Sequence, residues 1–272
     1  MPGARRPLAG YAAYLFDVDG TLIYPDRAIP GAAEAIRAIK AHNRPVLAVT
    51  NNSSLGRHAI GERFRKFGLP LDDQEVFSAV MATAHLIAHE RPQARVHVFG
   101  NPGLRDEIER AGLHTTESSQ ADYVVVGNCL DVSYDRLTRA MRALLGGARF
   151  IAVNADRVYM GRDGQMIPGV GMFVAAFERA IGRPADVIVG KPSVTILHEA
   201  AASVGCPPEA CLYVGDNCEA DVAGAHAAGM DALLVLSGVA TAAEDCADPP
   251  EHSLPSVAAL VDVFGRTLLL DL

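Results

Sequence analysis

Two carboxylates one residue apart, in Asp17-Val18-Asp19-Gly20-Thr21, directly follow the apolar run Ala13-Tyr14-Leu15-Phe16. A run of that kind reads as a buried strand, which puts the pair at the strand's carboxyl end, where open α/β sheets hold their ligands. With one residue between them the side chains point differently, so one carboxylate can attack an electrophile while the other handles a proton. Gly20 lets the backbone turn away sharply and Thr21 adds a hydroxyl. Taken alone, the same pattern also fits an Asp-rich turn that caps a helix.

Three later strand ends carry polar groups of matching use. Pro45-Val46-Leu47-Ala48-Val49 runs into Thr50-Asn51-Asn52-Ser53-Ser54, a strand-to-helix turn whose hydroxyl and backbone N–H groups suit a phosphate. Asp186-Val187-Ile188-Val189 reads as a further core strand ending in Gly190-Lys191-Pro192-Ser193, and Cys211-Leu212-Tyr213-Val214 ends in Gly215-Asp216 with Asp221 five positions on. Lys191 stands out because only three of the 24 basic residues are lysines, Lys40, Lys66 and Lys191. A compact ammonium can approach carboxylates and a phosphoryl oxygen together, which the wider guanidinium fork cannot.

The elements that must position these residues follow from the alternation of short β-rich runs with helical spacing along the chain. That alternation predicts an α/β fold, with a Rossmann-like, doubly wound parallel-sheet core covered by helices. With 272 residues the chain has room for two modest domains, and half its residues are hydrophobic, which excludes a disordered protein. The net charge of −8 argues against a general nucleic-acid binder. No apolar stretch reaches the length of a membrane span. The five cysteines include no C-x-x-C pair, so we expect reduced thiols, a packing role for Cys218, and a cytoplasmic location. The acidic stretch from Glu244 to Ser253, with Pro249-Pro250, reads as a surface loop.

In order, Asp17-Val18-Asp19-Gly20-Thr21, Thr50-Asn51-Asn52-Ser53, Gly190-Lys191-Pro192 and Gly215-Asp216 with Asp221 resemble the four motifs of the haloacid dehalogenase (HAD) superfamily phosphatases. The Thr-Asn-Asn-Ser loop, the Gly-Lys-Pro-Ser motif and Leu236-Ser237-Gly238-Val239 look like the 4-nitrophenylphosphatase and nucleotide monophosphatase branch, subfamily IIA. The resemblance implies a phosphoric monoester hydrolase. It makes Asp17 the nucleophile that forms an aspartyl-phosphate, Asp19 the acid/base, and Thr50, Asn51, Asn52 and Lys191 the groups that hold the phosphoryl. Magnesium, Mg2+, would be bound by Asp17, the backbone carbonyl of Asp19, Asp216 and, in support, Asp221. The alternatives are a dehalogenase, which the Asp19 acid/base argues against, and a catalytically degenerate HAD-fold binding or phospho-accepting regulatory protein.

Lys191 stands 141 positions after Thr50, whereas a crossover between parallel strands needs about 30 to 45. The surplus contains strands and helices of its own. The expected organisation is therefore a catalytic core over residues 1–81 and 186–272 and an inserted C2-type α/β cap over 82–185. Residues 83–185 carry 12 basic and 11 acidic side chains, so the acidic excess lies in the core and suits a divalent cation. In the cap, the loop from Asn154 to Gly171 is expected to select the substrate, a small phosphorylated metabolite, with Asn154, Asp156, Tyr159, Arg162 and Met166 as candidates. The cap is also a candidate surface for homodimerisation.

Overall fold

The computed structural model describes residues 6–160 and 165–270. In chain order its strands are β1 (Ala13–Phe16), β2 (Val46–Thr50), β3 (Val76–Ser78), β4 (Arg95–Phe99), β5 (His114–Thr115), β6 (Tyr123–Val126), β7 (Arg149–Ala152), β8 (Val158–Met160), β9 (Met166–Pro168), β10 (Val187–Ile188), β11 (Cys211–Gly215), β12 (Asp231–Val235) and β13 (His252–Leu254). The helices are α1 (Ala32–Ala41), α2 (Arg57–Lys66), α3 (Ala79–Glu90), α4 (Pro102–Arg110), α5 (Tyr134–Leu145), α6 (Val170–Ile181), α7 (Val194–Ser203), α8 (Ala223–Ala227) and α9 (Leu260–Leu270). Apolar spacing explains them: α1 buries Ala32, Ala35, Ile36 and Ile39 on one face. The Ser133 side chain accepts a hydrogen bond from Arg136 N–H and caps the start of α5, where N–H groups lack partners within the helix.

The chain divides into two compact units. The first takes the described residues through Thr50, then Gly61–Phe77, then those from Lys191 onward. Its sheet has the order β13-β12-β11-β1-β2-β3. β1 lies between β11 and β2 and runs parallel to both, with Tyr14 opposite Leu212 and Val46. All four β1 residues are buried, as expected of a strand covered on both faces. The chain leaves β1 toward β2 and later returns to its other side as β11, which opens a crevice beyond the carboxyl ends of these strands.

The second unit comprises Asn51–Ile60 and Ser78–Gly190. It has a five-stranded sheet of order β10-β7-β6-β4-β5 and the separate β8–β9 hairpin. Val124, Val126, Phe99 and Phe150 from the sheet pack with Phe173 and Phe177 of α6. The Phe99 ring meets those two rings edge-on at 5.2 and 5.1 Å, an arrangement that aromatic quadrupoles favour. The pairings of β13-β12-β11-β1-β2 and of the five-stranded sheet are parallel, the α/β class expected.

Three expectations need correction. The strand before Lys191 belongs to the second sheet, not to the core: Val187 pairs with Ile151 and Ile188 with Ala152 of β7. Apolar character marks a strand but not its partner, and β10 is only two residues long. The stretch from Glu244 is not all loop, because β13 adds His252–Leu254 to the edge of the first sheet beside β12. Cys218 and Cys246 form a disulfide rather than reduced thiols. A π-helical turn over Cys218–Val222 and a 3-10 turn over Ala243–Asp245 bring their Cα atoms to 5.0 Å. Cys129, Cys206 and Cys211 are free. Among the described residues, no helix is long and apolar enough to cross a membrane.

Candidate active site

Asp17 follows β1, and its N–H bonds the Val214 carbonyl of β11 at 2.8 Å, so its position is set by the sheet itself. Lys191 is buried, with 3% of its side chain exposed. Its Nζ donates to Asp17 Oδ1 at 2.5 Å and to Asp221 Oδ1 at 2.6 Å. The second Asp221 oxygen accepts from the backbone N–H groups of Asp216 and Asn217 at 3.1 and 3.0 Å, which folds the turn after β11 back on itself. Asp216 Oδ2 accepts from Val239 N–H at 2.7 Å. Gly20 is needed here twice over. Its φ of 92° suits glycine, and a Cβ there would lie 2.4 Å from Asp216 Oδ2. Thr50, the last residue of β2, is buried in the same unit.

One carboxylate oxygen from each of Asp17, Asp216 and Asp221 lies within 4.8 Å of the others. Burial pushes Asp17 well above the usual carboxylate range; Lys191 opposes the shift while Asp221 and Asp216 add to it. Burial and the neighbouring Asp221 push Asp216 up to about 6. Burial alone would lower Lys191, but the Asp17 and Asp221 carboxylates outweigh it and hold the ammonium protonated. Three carboxylates against one ammonium leave a buried excess of negative charge. An all-oxygen donor set of that charge fits a hard divalent cation.

Asp19 points elsewhere. Its side chain is 57% exposed and accepts from Arg63 of α2 at 3.1 Å. Asn51 and Asn52, next in the chain after Thr50, belong to the second unit. There Asn52 Oδ1 accepts from the N–H groups of Ser54 and Leu55 and closes a tight turn, while Asn51 Nδ2 donates to Asp156 Oδ1 at 3.2 Å. The buried Asn154 donates to the Asn51 carbonyl at 2.6 Å. Tyr159 and Met166 are exposed on the β8–β9 hairpin, and the Tyr159 hydroxyl accepts from Asn128 at 2.8 Å. Arg162 lies outside the described residues.

Two participants escaped sequence reasoning. Arg63 reaches Asp19 across 44 positions of chain, and nothing in the spacing of α2 distinguishes it from the neighbouring Arg65. Val239 acts through its backbone N–H, which no side-chain pattern reveals. The nearest signal was Gly238, where a Cβ would sit 1.8 Å from Asp216 Oδ2.

The sequence matches the haloacid dehalogenase-like hydrolase family over residues 14–114 and a second HAD-hydrolase-like family over 188–260. It is 34% identical to the 5'-nucleotidase YutF of Bacillus subtilis over 91% of this chain and 96% of that protein. The p-nitrophenyl phosphatase from Archaeoglobus fulgidus superposes with a TM-score of 0.88 at 36% identity, over 93% of this chain and 98% of its own. A glycerol phosphate phosphatase of Mycobacterium tuberculosis in complex with calcium superposes with a TM-score of 0.84 at 28% identity, over 92% of this chain and 74% of its own. The chain belongs to the haloacid dehalogenase-like hydrolases.

Proposed function

We propose that this haloacid dehalogenase-like hydrolase is a phosphoric monoester hydrolase that removes the phosphoryl group from small phosphorylated metabolites, with Asp17 as nucleophile. The observation that carries the reading is the buried Asp17 carboxylate at a strand tip, paired with Lys191 at 2.5 Å beside two further aspartates. A phosphate monoester is a polyanion and would be repelled by that cluster. Asp17, Asp216, Asp221 and the backbone carbonyl of Asp19 are the groups to hold Mg2+, which, when bound, neutralises charge on the cluster and on the phosphoryl oxygens.

An Asp17 oxygen attacks phosphorus, the bond from phosphorus to the leaving oxygen breaks, and Asp19 gives its proton to that oxygen as the alcohol departs. Water then attacks the aspartyl-phosphate, Asp19 takes a proton from it, and the bond from phosphorus to Asp17 breaks to release inorganic phosphate. The Asp19 side chain is 57% exposed and bonded to Arg63; it does the proton work once it turns from Arg63 toward the leaving oxygen. Thr50, Lys191 and the amides of Asn51 and Asn52 hold the transferred group, where catalysis is mainly positioning and charge stabilisation. The names of the relatives make nucleotide and sugar phosphates and glycerol phosphate the first candidates to screen, with glycolate phosphate beside them.

The test is phosphate release from 4-nitrophenyl phosphate and from that panel. Asp17→Asn should leave the fold intact and reduce turnover by orders of magnitude. Chelation should abolish activity and Mg2+ restore it. Near-normal turnover by folded Asp17→Asn, or full activity after exhaustive chelation, would refute the mechanism.

A further inference from the structure

Asn154 and Asp156 were candidates for substrate contact, but their polar atoms are already committed. Asn154 follows β7 and is 2% exposed. Its Nδ2 donates to the Asn51 carbonyl at 2.6 Å, and its Oδ1 accepts from Asp156 N–H at 3.2 Å. The Asp156 carboxylate in turn accepts from Asn51 Nδ2. Asn51 is thus held from both its main chain and its side chain by one short segment.

That segment is itself braced. The start of α6 lies against it, with Gly171 N–H donating to the Asp156 carbonyl and Gly169 N–H to the Arg157 carbonyl, both at 2.9 Å. A Cβ at Gly169 would fall 2.0 Å from the Asp156 carbonyl oxygen, and one at Gly171 2.6 Å from that of Ala155. These close approaches are what Gly169 and Gly171 permit in Pro168-Gly169-Val170-Gly171. Gly190 closes the arrangement: a Cβ there would lie 2.7 Å from Asn51 Oδ1 and 2.9 Å from Asn154 Cβ. Asn154 therefore packs between the residue that follows Thr50 and the residue that precedes Lys191.

We propose that Asn154 and Asp156 are positioning residues for phosphoryl binding: they fix the peptides after Thr50 and so serve every substrate alike. A peptide plane has two soft dihedrals on each side, and a backbone amide loses its value as a phosphate donor once it turns away. The proposal rests on the assignment of Thr50, Asn51, Asn52 and Lys191 to the phosphoryl group.

Asn154→Asp tests it, because aspartate keeps the size and the acceptor toward Asp156 N–H but cannot donate to the Asn51 carbonyl. Orthophosphate affinity and Mg2+ affinity are measured by calorimetry on the full chain, with thermal melting and 4-nitrophenyl phosphate kinetics in parallel. We expect Asn154→Asp and Asp156→Ala to bind orthophosphate at least about tenfold more weakly and to lose kcat/KM on all substrates, with Mg2+ affinity unchanged. Asp156→Asn, whose amide oxygen still accepts, should recover most of what Asp156→Ala loses. Orthophosphate affinity within about threefold of the parent in folded Asn154→Asp overturns the proposal, since a lost positioning contact must cost more than that. So does a parallel loss of Mg2+ affinity and melting temperature, which marks a purely structural role, and so does a parent that binds no orthophosphate. Turnover that survives Asp17→Asn would instead refute the covalent mechanism and leave this proposal standing.

Discussion

Replacing Lys191 by methionine takes the one ammonium from beside three buried carboxylates while keeping most of the side-chain volume. Its two hydrogen bonds, at 2.5 Å to Asp17 and 2.6 Å to Asp221, are charge-assisted and worth about 1.5–3 kcal/mol each. Desolvation of the ammonium offsets part of that, and stranding buried carboxylates costs about 3–5 kcal/mol. The deficit depends on pH. Asp17 and Asp216 already sit above their ordinary range, Asp216 at about 6, and loss of the ammonium raises both further. A carboxylate whose folded value exceeds its unfolded one binds protons more tightly when folded, so the variant's stability rises as pH falls. Each unit of pH below the raised value recovers about 1.4 kcal/mol per carboxylate. The deficit should therefore be largest near pH 8 in chelator and shrink toward pH 5, or on addition of Mg2+. Arginine in the same place keeps the charge but not the geometry, because the buried Nζ meets Asp17 and Asp221 as a point charge and a wider planar fork does not reproduce both contacts. Both Lys191→Met and Lys191→Arg should lower kcat/KM by about 100- to 1,000-fold. Urea denaturation at pH 5.5 and 8 with and without Mg2+, and phosphate release, measure the two effects. A deficit independent of pH, or an arginine variant within tenfold of the parent, would refute the reasoning.

Gly238→Ala should displace Asp216, since the added Cβ would stand 1.8 Å from Oδ2; we expect Mg2+ affinity and kcat/KM to fall together by about tenfold or more, and calorimetry showing unchanged Mg2+ affinity would refute the steric argument. Burial would lower His226, but its hydrogen bonds to the Asp248 and Glu251 carboxylates raise it, so its contribution to stability is present below its unfolded value and lost as pH rises through the folded one. Because the site is partly solvated the effect is about 1 kcal/mol or less, and it should appear as a flatter melting-temperature profile above pH 6.5 in His226→Gln. Substitutions at Tyr159 or Met166 on the exposed hairpin should change KM for the physiological substrate more than turnover of 4-nitrophenyl phosphate, whose activated leaving group needs little remote binding energy; equal losses on both would refute that division.

The placement of Asp17, Thr50 and Asp216 at strand ends was legible because each follows an apolar run, and a parallel sheet delivers whatever follows its strands to one edge. Lys191 was legible from its rarity, although the strand before it was placed in the wrong sheet. Register decides that placement, and it arises from pairing between Val187 and Ile151 across 36 positions, which single-sequence periodicity does not encode. The Cys218–Cys246 disulfide was hidden for a related reason, since the two cysteines are 28 positions apart and meet through the turns at both ends. The hydrogen bond from Val239 to Asp216 is made by a backbone N–H that any residue except proline can supply.

The hardest feature to foresee was that residues 51–60 fold with the insertion rather than with the strand that leads into them. Their contacts explain it. Asn101 Nδ2 donates to Ser54 Oγ at 3.1 Å, and the Glu107 carboxylate accepts from Arg57 N–H at the start of α2. A Cβ at Gly103 would lie 2.5 Å from the Ser54 carbonyl oxygen, so a side chain there would expel the turn. Each of these groups stands in or beside α4, and Asn154 follows β7, so the turn after Thr50 is gripped by elements from distant parts of the insertion. On the proposed assignment of Thr50, Asn51 and Asn52 to the phosphoryl group, a simple division of chemistry to one unit and choice of substrate to the other does not hold for a definable set of residues. Changes at Asn101, Gly103, Asn154 or Asp156 are then expected to affect all phosphate esters alike, and changes on the β8–β9 hairpin to affect some esters more than others. On the same assignment, Tyr159 and Met166 are the positions to vary for specificity, with Asn154 and Asp156 as the control that reports on the shared phosphoryl group.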